Sequence, residues 1–354
     1  MEKDHKKMLW IFIAVAYGMV ALMSIFMYIG YSKQYDLSAL VNTHMMYPAC
    51  GVILGRILTR KEGTKLPMGV YVTTLLTTAA MLAISIAAVF IHIEPLDMAG
   101  TKTDVWTLIL SAPLAIGSMI VLILSFAGKK EINESAGIAH KNIKKSALLI
   151  VLFVVLLIIR VVVALALGDA MNGTSGSIAA VLKSCTSLNS VATLIMLPFS
   201  FFMAHLTFFG EEYGWRYYLQ PLMEKKFGYR LGILFFGIIW GIWHIDIDFM
   251  YYTKESGPAM LVSQIITCIS ISIFFSYVMI KTQNLWAVVI MHFLNNNIAG
   301  VLMGGLEGMQ NQSSSWKDIP PEIIASICFI AFILLPVFNS KKKDKEISPK
   351  AAEA

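Results

Sequence analysis

Three segments in the second half of the chain carry residue types that do chemistry, set in otherwise apolar surroundings. "FFGEEYGWRYYLQ" (208–220) places Glu211, Glu212 and Arg216 at the end of a long apolar run. "GIIWGIWHID" (237–246) places His244 behind Gly237 and Gly241, and "MHFLNNN" (291–297) sets His292 and Asn296 four residues apart. In a helix, Glu212 and Arg216 share a face and can pair, whereas Glu211 points about 100° away around the axis. A carboxylate without such a partner in an apolar site has to be neutralised by a proton, a donor or a metal. It can act as a general base on water. Two neutral imidazoles and a carboxylate are equally a zinc set. An Asn amide and an imidazole N–H can donate to an oxyanion. Together these residue types fit hydrolysis of an acyl bond, most naturally a peptide bond. No Ser/His/Asp order, Cys nucleophile, diaspartate context or HExxH accompanies them.

The elements that must position these groups are membrane helices. Of 354 residues, 57% are hydrophobic and only 14% charged, and the mean hydropathy is +0.70. A soluble domain is about 45–50% apolar and about 25% charged, so the composition points to an all-α, polytopic transmembrane bundle. A window of about 20 apolar residues finds ten candidate runs, near 9–30, 37–58, 68–93, 106–127, 146–168, 190–219, 231–250, 258–281, 284–304 and 320–338. The second is weak because it is short and contains His44, so about eight to ten spans are expected. The first run lacks a cleavage site and reads as a helix that stays.

Basic residues fall mostly in alternate loops, leaving four (Lys33, Lys102, Lys254 and Lys317) on the opposite side. By the positive-inside rule both termini are expected in the cytoplasm. That bias accounts for the net charge of +6 without nucleic acid. Cys50, Cys185, Cys268 and Cys328 show no CxxC spacing, which argues against a disulfide framework or a thiolate metal site. The organisation expected is accessory helices over 1–145, a core over 146–340 and a basic cytoplasmic tail over 341–354.

An ionisable group within a span costs about 2.5–3.5 kcal/mol on insertion scales and marks function by default. Arg56, His92 and Lys183 lie near span ends, where they can snorkel. His44, Arg160 and His205 read as lone groups satisfied by a neighbouring helix. Asp246 and Asp248 lie toward the outer end of their helix and are expected to face water. With helix ends near 222, 230 and 284, about 1.5 Å of rise per residue puts Glu211, His244, His292 and Asn296 within one slab of membrane. The GxxxG spacing of Gly237 and Gly241, and Gly210 with Gly214 around the glutamates, would let helices approach closely there.

At these residues the chain resembles the CAAX protease and bacteriocin-processing (Abi) group of intramembrane proteases, which includes the type II CAAX prenyl endopeptidases. "EEYGWR" is similar to its EExxxR motif, "WGIWH" to its aromatic-xxx-His motif with Trp240 where Phe is common, and "HFLNN" to its HxxxN motif. The resemblance covers about residues 190–300. It implies an intramembrane endopeptidase in a bacterial cell membrane, acting on a membrane-associated, lipidated or leader peptide. It implies water activated at Glu211 with help from His244, His292 and Asn296 holding an oxyanion or a metal, and Glu212 and Arg216 orienting the site. If zinc is bound, Glu211, His244 and His292 are its ligands; the residues equally suit metal-free hydrolysis. A non-proteolytic membrane regulator or immunity protein of the same fold is the alternative. A proton-coupled transporter is a third, disfavoured by the lack of inverted repeats.

Overall fold

The computed structural model describes residues 3–98, 101–302, 310 and 312–339; the basic tail expected over 341–354 lies outside them. Among the described residues the chain is helical, apart from its connections and one short hairpin in which Leu96–Met98 pairs antiparallel with Thr101–Thr103. Seven helical stretches are long and apolar enough to cross a membrane: Asp4–Ser32, Met68–Phe90, Val105–Ala127, Ile143–Asn172, Leu188–Phe227, Gly257–Thr282 and Leu285–Leu302. An eighth span results if Tyr229–Ile242 and Ile245–Tyr252, bent by 45° at their junction, are counted as one.

Two of the ten apolar runs do not become such helices, and proline explains both. Residues 37–58 divide into Ser38–His44 and Tyr47–Leu58, with Pro48 in the first turn of the second helix. Pro48 has no N–H to return to the His44 carbonyl, so the hydrogen-bond ladder is interrupted at the join. Residues 320–338 become the helix Ile319–Ile330 followed by 3-10 turns, and Leu335 is extended before Pro336. The sixth run is longer than expected. It continues past residue 222 to Phe227, where Gly228 at φ +80° ends it.

The chain forms two compact units. The first comprises the described residues up to His140 together with Ser200–Tyr218. The second comprises Lys141–Phe199 together with the described residues from Leu219 onward. Within the second unit the expected close approach occurs: a Cβ added to Gly237 or Gly241 would stand 2.7 Å from the Cα of Ile269 or Ile265 on Gly257–Thr282. Phe153 of Ile143–Asn172 packs with Phe274, Phe275 and Phe329.

Two charged groups inside this second unit, Arg160 and Glu224, are matched by polar neighbours. Arg160 forms an ion pair with Glu322 at 3.0 Å and donates to Thr267 Oγ1, which itself donates to Glu322. The lone-group expectation for Arg160 therefore holds. Glu224, expected in a loop, is buried and accepts from Gln220 at 2.7 Å and Ser276 at 2.8 Å. Gly232 makes room for it, since a Cβ there would lie 2.6 Å from the Glu224 Cα.

Candidate active site

The glutamate motif belongs to the first unit. α-Helix Leu188–Glu212 passes directly into a π-helical segment, Tyr213–Leu219, and returns to α-helix over Gln220–Phe227. π segments are rare and concentrate at functional sites because they re-aim side chains around the axis. Here the change of pitch begins at the residue after Glu212. Every residue from 205 to 220 is buried, as expected of a helix enclosed by protein on all sides rather than by lipid.

Residues of the first 140 supply part of that enclosure. A Cβ on Gly210 would lie 2.5 Å from the Met45 carbonyl oxygen, and one on Gly214 would lie 2.8 Å from the Pro48 Cα. The break at Met45–Met46 is thus where the motif helix is received, and only glycine fits at either point. Trp215 meets the edge of Phe12 at 5.6 Å, and Leu206 N–H donates to Ser118 Oγ.

Glu212 and Arg216 pair as their spacing requires, Nε to Oε2 at 2.9 Å, with both side chains fully enclosed. Glu211 is buried beside them. One turn further on lies a second polar set. The hydroxyls of Tyr213 and Tyr71 share a hydrogen bond of 2.7 Å, and the Tyr213 and Tyr217 rings stack at 4.7 Å. Tyr217 donates to the Ser135 carbonyl at 3.0 Å and accepts from the Arg56 guanidinium. Arg56 therefore does not snorkel: it is buried, with its charge spent on a phenol rather than on water. The Tyr213/Tyr217 spacing of four residues was the available sequence signal.

The two histidine motifs belong to the second unit. His244 stands at the junction of Tyr229–Ile242 with the short turn Ile245–Ile247. Its Nδ1 lies 2.9 Å from the Trp240 carbonyl. A carbonyl only accepts, so Nδ1 carries the proton and Nε2 is the basic nitrogen of the neutral ring. His292 meets the edge of the same indole, with ring centroids 5.7 Å apart, while the His244 ring lies 6.0 Å from it. Trp240 is therefore the common wall of both imidazoles, a packing role that a smaller aromatic at this position would fill with less contact. Asn296 follows His292 by one turn on Leu285–Leu302 and is partly buried.

Asp246 and Asp248 depart from expectation, because both are buried rather than facing water. Their segment follows the 45° bend, and Asp248 begins a second π-helical stretch, Asp248–Tyr252. Lys183 and His92 are exposed, and His92 contacts Glu94 at 3.2 Å. His205 is buried with Nδ1 on the Phe201 carbonyl, and His44 packs on Tyr47. Among the described residues no three of His, Cys, Asp and Glu are grouped to hold a metal ion.

Comparison with known proteins gives one family. Residues 192–298 match the family model described as type II CAAX prenyl endopeptidase Rce1-like. All six motif residues, Glu211, Glu212, Arg216, His244, His292 and Asn296, fall within the matched stretch. No curated protein and no solved structure matches the chain.

Proposed function

We propose that this multi-pass membrane protein, a member of the CAAX protease family through residues 192–298, hydrolyses a peptide bond of a membrane-associated peptide by a glutamate-activated water. The observation that carries the reading is that match, with all six motif residues inside it. Lipidated and leader peptides are the substrate classes proposed.

In this reading Glu211 takes a proton from water as the oxygen bonds to the scissile carbonyl carbon. His244 assists by accepting from that water at Nε2, the nitrogen that its bond to the Trp240 carbonyl leaves basic. His292 N–H and the Asn296 amide donate to the developing oxyanion. Collapse breaks the C–N bond while the proton on Glu211 passes to the leaving amine. Arg216 holds Glu212 at 2.9 Å, keeping a compensated pair beside the base. If zinc is bound, Glu211, His244 and His292 would hold it and it would supply a Lewis acid; the proton transfers above are assigned to the side chains alone.

The test is cleavage of membrane peptides by cells or purified protein carrying Glu211→Ala or His244→Ala. Cleavage should fall by about 10²-fold or more in each while the protein still inserts and unfolds at the wild-type midpoint. Persistence of cleavage in both variants refutes the reading. Metal analysis of purified protein, with His244→Ala as control, tests zinc.

A further inference from the structure

Three asparagines stand in succession in a membrane helix, Asn295, Asn296 and Asn297, each partly buried. A buried amide costs free energy unless it is bonded, so their bonds define what each is for. Asn297 Nδ2 donates to the Phe293 carbonyl at 2.9 Å, one turn back on its own helix. That amide donates locally, along its own helix. Asn295 Nδ2 donates to Asn296 Oδ1 at 3.0 Å.

This second bond matters because a carboxamide has two opposite ends. Asn296 can present either its NH₂ or its carbonyl oxygen simply by turning about χ2, a broad torsion without a strong intrinsic preference. Toward an oxyanion the two ends have opposite effects: the NH₂ donates and stabilises, whereas the carbonyl oxygen repels. A donor seated on Oδ1 ties down that end and leaves the NH₂ to point elsewhere. It also polarises the amide, which strengthens the N–H as a donor.

We infer that Asn295 is a positioning residue, which fixes the rotation of the Asn296 amide so that its NH₂ faces the oxyanion of the peptide substrate. This role rests on the hydrolytic reading of the site. It explains why the helix spends two adjacent polar side chains, at the cost each carries in a bilayer, where one donor would touch the reacting carbonyl.

The experiment compares kcat and KM for one membrane peptide across a double-mutant cycle. Asn295→Leu keeps the volume and removes the donor; kcat should fall about tenfold with KM within twofold, a smaller loss than the 10²–10³-fold expected for removing an oxyanion donor outright. Asn295→Gln, which retains an amide donor, should restore at least half of the lost rate. In an Asn296→Ala background, Asn295→Leu should change kcat less than twofold, because a residue acting through another has nothing left to act on. The inference is overturned if Asn295→Leu lowers kcat equally in both backgrounds, if it leaves kcat unchanged, or if only the unfolding midpoint moves. Should Asn295→Leu fail to fold, Asn295→Ala carries the same comparison. A wild type that cleaves with Asn295 variants unaffected sinks this role alone; a wild type that cleaves nothing sinks the hydrolytic reading and this role with it.

Discussion

Gly241→Ala isolates how tightly His244 is held. A Cβ at Gly241 would stand 2.7 Å from the Ile265 Cα, about 0.7 Å short of the 3.4 Å at which ordinary contact begins. The near atom is backbone, so relief requires the two helices to part by that distance. Overpacking of this kind costs about 1–3 kcal/mol. Alanine also has a higher helix propensity than glycine, by about 1 kcal/mol, which offsets part of the loss. Gly168→Ala supplies the correction, because Gly168 also lies in a membrane helix and a Cβ there meets nothing within 4 Å. The difference between the two variants is then the packing term alone. The displacement reaches His244 directly, since its Nδ1 is tied to the carbonyl of the residue before Gly241. A misplacement near 1 Å costs as much as about 10²-fold in rate, and at 0.7 Å a loss of about tenfold or more is expected. Equilibrium unfolding in mixed micelles and cleavage of a membrane peptide read the two quantities. If Gly241→Ala unfolds within about 0.5 kcal/mol of Gly168→Ala and cleaves at the wild-type rate, the close approach of these helices does not position His244.

Two further outcomes follow from groups already described. Arg216→Met leaves the Glu212 carboxylate enclosed without its cation and should cost about 3–5 kcal/mol, whereas Glu212→Gln with Arg216→Met should recover most of that stability in the same unfolding assay. His140, in the loop after Val105–Ala127, stacks on Phe126 at 4.0 Å and bonds Ser125, and burial lowers its pKa below 6.5. The unfolded chain then binds the proton more readily, so stability is complete above about pH 6.5 and falls as pH drops below it. His140→Gln should flatten that dependence in unfolding midpoints measured between pH 5 and pH 8.

Pairing along one helix and close approach between helices were legible in the sequence. Glu212 with Arg216 needs only a spacing of four, and the glycines at 210, 214, 237 and 241 needed only the rule that absent side chains admit a neighbour. Apolar runs located most spans for the same local reason. What escaped were properties set by distant partners. Arg56 looked like a snorkelling end group because nothing near it in sequence announces Tyr217. Asp246 and Asp248 looked solvent-facing because burial of a polar segment by distant residues has no hydropathy signature. Glu224 sits among "MEKKF", whose composition is that of a loop, and becomes buried through Ser276, some fifty positions away. The π-helical turn after Glu212 has no residue pattern of its own; it coincides with a segment enclosed along its whole length.

The first unit takes in Ser200–Tyr218 from beyond some 60 intervening residues, and this imposes an order of assembly. At about 5–20 residues per second, the ribosome leaves a gap of several seconds between the completion of residue 140 and the emergence of the segment that this unit encloses. During that interval the surfaces around Met45, Pro48 and Tyr71 exist without the helix they receive. The glutamate motif, once made, must dock into helices already in the membrane instead of folding with its sequence neighbours. A fragment confined to the family-matched residues 192–298 would carry every motif and yet lack Phe12, Met45, Pro48 and Tyr71. The motif residues all lie within one matched stretch of the sequence; the receptacle for the first of them is inherited from an earlier stage of synthesis.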